Sequence, residues 1–280
     1  MLVVILKSLG FVLIIILIIG GLLSAYIKYY EKKAIYFPSP FIEVKPKDIG
    51  LEYQDIYFLT SDGVKLNAWF IEAENPVATI LFLHGNAGNI SQRIELIELL
   101  VKESFNFFIF DWRGYGKSQG FPSEKGLYKD ALASYEYLTK KLGISPEKIV
   151  IYGKSLGANI ACDLATKINK GFLIIDSGFS SAQDMAKVVF PFIPSFLVRW
   201  VISVKFDALS KIKEIALPKL IIHSKDDEIV PFEQGEKLFR EAKEPKEFFV
   251  ARGSHNQAIF NNPELFISRI KTFVLNYSNK

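Results

Sequence analysis

The stretch from Lys148 to Ile160, KIVIYGKSLGANI, constrains this chain more than any other. Four apolar residues (Ile149, Val150, Ile151, Tyr152) read as a short buried strand, and a helical pattern begins just after Ser155. Between them lies Gly-Lys-Ser-Leu-Gly, the G-x-S-x-G pattern of a nucleophile elbow with Ser155 at its tip. A serine on so sharp a strand-to-helix turn needs a strained backbone, and Gly153 and Gly157 keep bulk away from it. The turn lifts the hydroxyl to a helix N-terminus, where developing negative charge is favoured. The bland alternative is a glycine-flanked N-cap serine.

Around the elbow, apolar strands alternate with helical patterns. Glu52–Thr60 and Val64–Ile71 read as a hairpin turning at Ser61-Asp62-Gly63. Ala78–Leu83, Phe105–Phe110, Phe172–Ile175, Lys219–His223 and Lys246–Val250 read as further strands. Helices are expected over Ser91–Glu103, Gly126–Leu142 and Ile259–Tyr277. The alternation implies an α/β fold with a mostly parallel central sheet and helices on both faces.

Ahead of this domain, Leu9–Ile27 carries no charge, and its roughly 28 Å of helix matches the hydrocarbon thickness of a bilayer. It is expected to be one N-terminal transmembrane helix, since no A-x-A-like cleavage site follows it. The flanking lysines oppose one another across the span and do not fix its orientation. The expected organisation is an anchor over residues 1–33 and a domain over 34–280, with 36–50 as an extended, proline-bearing lead off the membrane. The net charge of +4 is scattered, so nucleic acid is not an expected partner, and the lone Cys162 excludes an intrachain disulfide and any multi-cysteine metal site. Gly116-Lys117-Ser118 resembles the end of a phosphate-binding loop, but Asp111 stands where that loop needs glycine. Gly114-Tyr115-Gly116 starts like a dinucleotide fingerprint, but Gln119 takes the third glycine's place.

A serine hydroxyl is a weak nucleophile until a base takes its proton, and a third group must hold that base. The chain has three histidines. His255, in a loop between the last strand and the last helix, is the candidate base, while His84 and His223 are expected to be structural. Asp226 and Asp227 are both candidates for the third group. Backbone N–H groups of Leu156 and of the 84–86 loop, at Asn86, are expected to form an oxyanion hole.

The motifs HGNAGN (84–89), DWRGYGKSQGFPSEKGLYKDA (111–131), GKSLGA (153–158), HSKDDEIVP (223–231) and GSHN (253–256) together resemble the α/β-hydrolase superfamily, and within it the membrane-anchored bud-emergence-type branch. The likeness covers about residues 34–275. It implies the α/β-hydrolase fold, the chain order serine, acid, histidine, and Asp227 rather than Asp226, because in such relatives the acid precedes two residues and then Val/Ile-Pro. It implies a serine hydrolase acting on small-molecule or lipid-like esters or thioesters, with neither metal nor organic cofactor. Lys154, where relatives often carry arginine, keeps the charge. A small helical cap is expected at about 179–210, and its VVFPFIPSFLVRWVI run (188–202) reads as an acyl-binding lid, a membrane contact or plain core. The rival readings are a serine peptidase of the same fold and a catalytically idle membrane scaffold. Dehalogenase chemistry is disfavoured because that branch carries aspartate where Ser155 stands.

Overall fold

The structure, a computed structural model, describes residues 2–192, 194, 198 and 202–278, and side chains in the first helix at 9–22, 25, 26, 29–31 and 33–35. Helix α1 (Leu2–Ile35) precedes strand β1 (Phe37–Pro38), the β2 (Gln54–Leu59) and β3 (Lys65–Ile71) hairpin, β4 (Ala78–Leu83) and the short β5 (Ala87–Gly88). There follow α2 (Ile94–Lys102), β6 (Phe105–Phe110), α3 (Glu124–Lys140), β7 (Ile149–Lys154), α4 (Leu156–Ala165) and β8 (Phe172–Asp176). The chain closes with α5 (Ala182–Val189), α6 (Ala208–Ile212), β9 (Lys219–Ser224), α7 (Phe232–Glu241), β10 (Lys246–Ala251), α8 (Ala258–Asn261) and α9 (Pro263–Ser278).

Eight strands form one sheet in the order β10-β9-β8-β7-β4-β6-β3-β2, parallel except where β3 pairs with β2 and β6. Alternation within the strands feeds two apolar layers. Leu81, Leu83, Ile151 and Ile221 face the layer that includes α3 and α4, while Ile80, Phe82, Val150 and Ile222 face the layer that includes α2 and α9. Helices therefore cover both faces, as a parallel sheet requires. The strand carrying the elbow, β7, is held between β4 and β8, so its C-terminal end cannot shift without breaking two ladders.

Two expectations change. The closing helix is not continuous: Pro263 lacks the N–H that would extend α8, and a second helix starts there. The 36–50 segment is not a free lead, because β1 pairs with β5 and Tyr36 is buried. The side chain of Asn89 also donates to the carbonyls of Ser39 and Phe41. The expected membrane span over 9–27 falls only partly on described side chains, the longest unbroken run being 9–22; among the described residues, no helix is long and apolar enough to cross a membrane. Of the expected cap, α5 and α6 are described, whereas 193, 195–197 and 199–201 lie outside the described residues. Gly116-Lys117-Ser118 sits in a tight turn, with Ser118 donating to the Asp111 carbonyl at 2.7 Å.

Candidate active site

Ser155 has φ 54° and ψ −120°, outside the conformations that L-residues adopt freely. The turn is held from both sides. The Ser155 N–H donates to the Asp176 carbonyl at 2.8 Å, and the Ser155 carbonyl accepts from Ala158 at 2.9 Å. Only glycine fits the flanks: a Cβ at Gly157 would lie 1.9 Å from the Leu83 carbonyl oxygen, and one at Gly153 would lie 2.4 Å from that of Gly157. Leu156 opens α4, so its N–H is one of the helix's first four, which have no partner within the helix.

Asp176, at the end of β8, braces the elbow from behind. Its carboxylate accepts from the Tyr152 hydroxyl at 2.8 Å and from Lys154 Nζ at 2.7 Å, while its carbonyl holds Ser155. Sequence reasoning did not single it out. Its one signal is an acidic residue closing an otherwise apolar strand, FLIID.

The two loops after β9 and β10 meet each other, and His255 from the second lines the same cavity as Ser155. His255 is 4% exposed, and its Nδ1 lies 2.8 and 3.0 Å from the two carboxylate oxygens of Asp227, so Nδ1 carries the proton and donates. Asp227 also accepts from the backbone N–H groups of Ile229 and Val230 at 3.0 and 2.8 Å. Burial alone would push this carboxyl up, but the imidazole and the two backbone donors outweigh it and hold Asp227 at about 2. Asp226 does something else. Half exposed, it accepts from Arg252 at 3.1 Å and from the Gly253 N–H at 3.0 Å, tying the two loops together. Glu228 adds a second tie by accepting from the His255 backbone N–H at 2.9 Å.

Of the other histidines, His84 stays out of this arrangement, whereas His223 Nε2 lies 3.6 Å from the Asp227 carboxylate. His84 is fully buried against Trp112 and Tyr115, with Nδ1 donating to the Gly85 carbonyl at 2.8 Å. Burial drives it down to about 3 and Asp111 up to about 7, and at 4.0 Å the two make no ion pair. His223 is buried too, and its Nε2 donates to the Val230 carbonyl at 2.8 Å, fixing the loop that carries Asp227.

The 84–89 loop lies against the elbow: a Cβ at Gly85 would stand 3.7 Å from that of Ser155. Asn86 is pinned in three directions. Its carbonyl accepts from Phe37 N–H at 3.0 Å and from the Tyr115 hydroxyl at 2.8 Å, and its side chain donates to the Ile35 carbonyl at 2.9 Å. Ser155, Leu156, Asn86 and His255 all open onto one cavity of about 1100 Å³. Its walls are largely apolar, with Met185, Val189, Phe206 and Ile259 among them. A polar floor that gathers a serine, an imidazole and backbone donors under an apolar roof suits nucleophilic attack on the carbonyl of a molecule with an apolar tail.

Comparison with known proteins places the chain in a family. A model of the alpha/beta hydrolase fold matches residues 78–172. The chain is 35% identical over 238 residues to the alpha/beta hydrolase domain-containing protein WAV2 of Arabidopsis thaliana, covering 76% of each. It is 36% identical over 225 residues to the protein bem46 of Schizosaccharomyces pombe, covering 75% of each. Among solved structures it resembles the Pyrococcus furiosus esterase Pf2001, with TM-score 0.71 and 26% identity over 86% of this chain and 99% of that one. The protein is thus a hydrolase that belongs to the alpha/beta-hydrolase family, in its bud-emergence-type branch.

Proposed function

We propose that this protein is a membrane-anchored serine hydrolase that cleaves carboxylic esters or thioesters through an acyl-Ser155 intermediate. The observation that carries the reading is the buried contact between His255 Nδ1 and the Asp227 carboxylate, with His255 and the serine of a strained elbow lining the same cavity. His255 Nε2 takes the Ser155 proton as Oγ attacks the substrate carbonyl, and Asp227 stabilises the imidazolium that results. The N–H groups of Leu156 and Asn86 receive the oxyanion, each such donor contributing about 3–4 kcal/mol to the barrier reduction. Collapse breaks the bond to the leaving group, which takes the proton from His255. Water, deprotonated by the same imidazole, then attacks the acyl-serine and releases the acid. The esterase among the structural neighbours supports ester cleavage.

Anchoring rests on α1. Leu9, Phe11, Leu17 and Leu22 are each more than half exposed, a row of apolar side chains suited to lipid. The protein is accordingly assigned to a membrane, crossed once.

Fluorophosphonate labelling of the detergent-solubilised full chain tests the assignment. Wild type is expected to label and to hydrolyse p-nitrophenyl esters, and Ser155→Ala to do neither. Labelling retained by Ser155→Ala overturns it, and cleavage of peptides but not of acyl esters replaces it with a peptidase.

A further inference from the structure

The cavity above Ser155 is not closed by the hydrolase domain alone. Tyr26, Tyr30, Glu31, Ala34 and Ile35, all from the last turns of α1, line it. Their spacing explains why: residues 26, 30 and 34 follow one another at i, i+4, as do 31 and 35, so they share one helical face. Tyr29, which pairs with Lys33 through its ring, lies outside that lining.

The face is seated, not merely nearby. Glu31 accepts from the backbone N–H groups of Ser203 and Val204 at 2.6 and 3.1 Å, holding the segment that returns from the cap. Asn86 holds the last α1 carbonyl, that of Ile35. On the same cavity, helix α5 presents Ala182, Met185, Ala186 and Val189, again the residues of one helical face. Ser155 lies in the same cavity as the α5 face and the Tyr26, Tyr30, Ala34 and Ile35 side chains of α1, the Glu31 carboxylate being taken up by Ser203 and Val204.

From this we infer that the last turns of α1 are the acyl-binding wall of the site. The occupant is the alkyl chain of a long-chain acyl ester or thioester, lying between α1 and α5 with its carbonyl at Ser155. The inference rests on the serine-hydrolase reading above and deepens it: specificity for chain length resides in the helix assigned to the anchor, outside the hydrolase fold itself. Each methylene taken into such a wall is worth about fourfold in kcat/KM.

Ala34 gives the sharpest test, because the cavity there is bounded by a single methyl group. Full-length protein in detergent is assayed with p-nitrophenyl esters from acetate to hexadecanoate. In Ala34→Trp, the ratio of kcat/KM for the longest ester to that for acetate is expected to fall about tenfold or more, with the optimum at a shorter chain. Tyr29→Ala, on the other face, is expected to leave the profile as in wild type. Should Ala34→Trp express poorly, labelling rates with short- and long-chain alkyl fluorophosphonates read only the folded fraction and must show the same change in ratio. An unchanged ratio in an Ala34→Trp protein that labels at Ser155 overturns the wall. A wild type that neither labels nor hydrolyses any ester overturns the serine-hydrolase reading, and the wall with it.

Discussion

The floor and the roof of the cavity are built on different principles. The floor is backbone: a strained serine between two ladders, a carboxylate receiving two N–H groups and an imidazole, and loops tied by Asp226 and Glu228. The roof is side chains on two helices, α1 and α5, where the cavity-lining Val189 remains more than half exposed. Bond making tolerates little displacement, so it is set where neighbouring strands leave no freedom. Holding an alkyl chain needs only apolar volume, which helices can supply without fixed geometry.

The contrast can be broken most decisively at the acid. Asp227→Asn is expected to lower kcat about 10⁴-fold, because the imidazole would be held in the wrong tautomer. Asp226→Asn should cost less than about tenfold, since Arg252 and Gly253 are its partners, and steady-state kinetics on one ester series compares the two. An equal loss in both would mean that the floor does not distinguish the neighbours. Crowding provides the next test. Gly157→Ala is expected to destabilise by about 3 kcal/mol or more through overpacking against the Leu83 carbonyl, whereas a Cβ at Gly21 in α1 meets nothing within 4 Å. Thermal unfolding of both variants checks this, and a similar Tm for the two would remove the claim of a tightly built floor.

A pH effect of similar or smaller size follows from Asp227. Its carboxyl sits at about 2 in the folded state against about 3.9 unfolded, so its ionisation stabilises the fold fully above about pH 4. That contribution, about 2–3 kcal/mol, is lost as pH falls from about 4 to 2. Urea unfolding of wild type and Asp227→Asn should therefore converge as the pH approaches 2. The smallest effect belongs to the roof. Val189→Ala should lower the long-chain to acetate ratio of kcat/KM only a few-fold, because it removes two methyl groups from a half-open wall.

Legibility followed the same division. The strands around the elbow could be read to within a residue or two, because a buried parallel strand must be apolar along its whole length, as ATILFL and FNFFIF are. The turn at Ser155 and the loop position of His255 could be read because steric crowding and the small number of histidines leave few choices. Between Asp226 and Asp227 the residues alone were silent, since adjacent aspartates differ only in which way the loop turns them. Asp176 escaped notice because a bracing carboxylate has no spacing rule. The pairing of β1 with β5 escaped for another reason: two-residue strands carry no periodicity, and Phe37-Pro38 reads locally as a linker.

That pairing bears on the proposed membrane anchoring. A slack linker would let the domain swing and tumble at the end of a leash. Here α1 is helical to Ile35, and the next residues are bonded at once into the loop beside Ser155. With Ile27 at the hydrocarbon edge, the remaining turns raise Ile35 by about 12 Å. The domain would then ride on a short stiff post, with its cavity mouth at a set height and a set facing, so that reach and bearing are properties of the fold and not of diffusion.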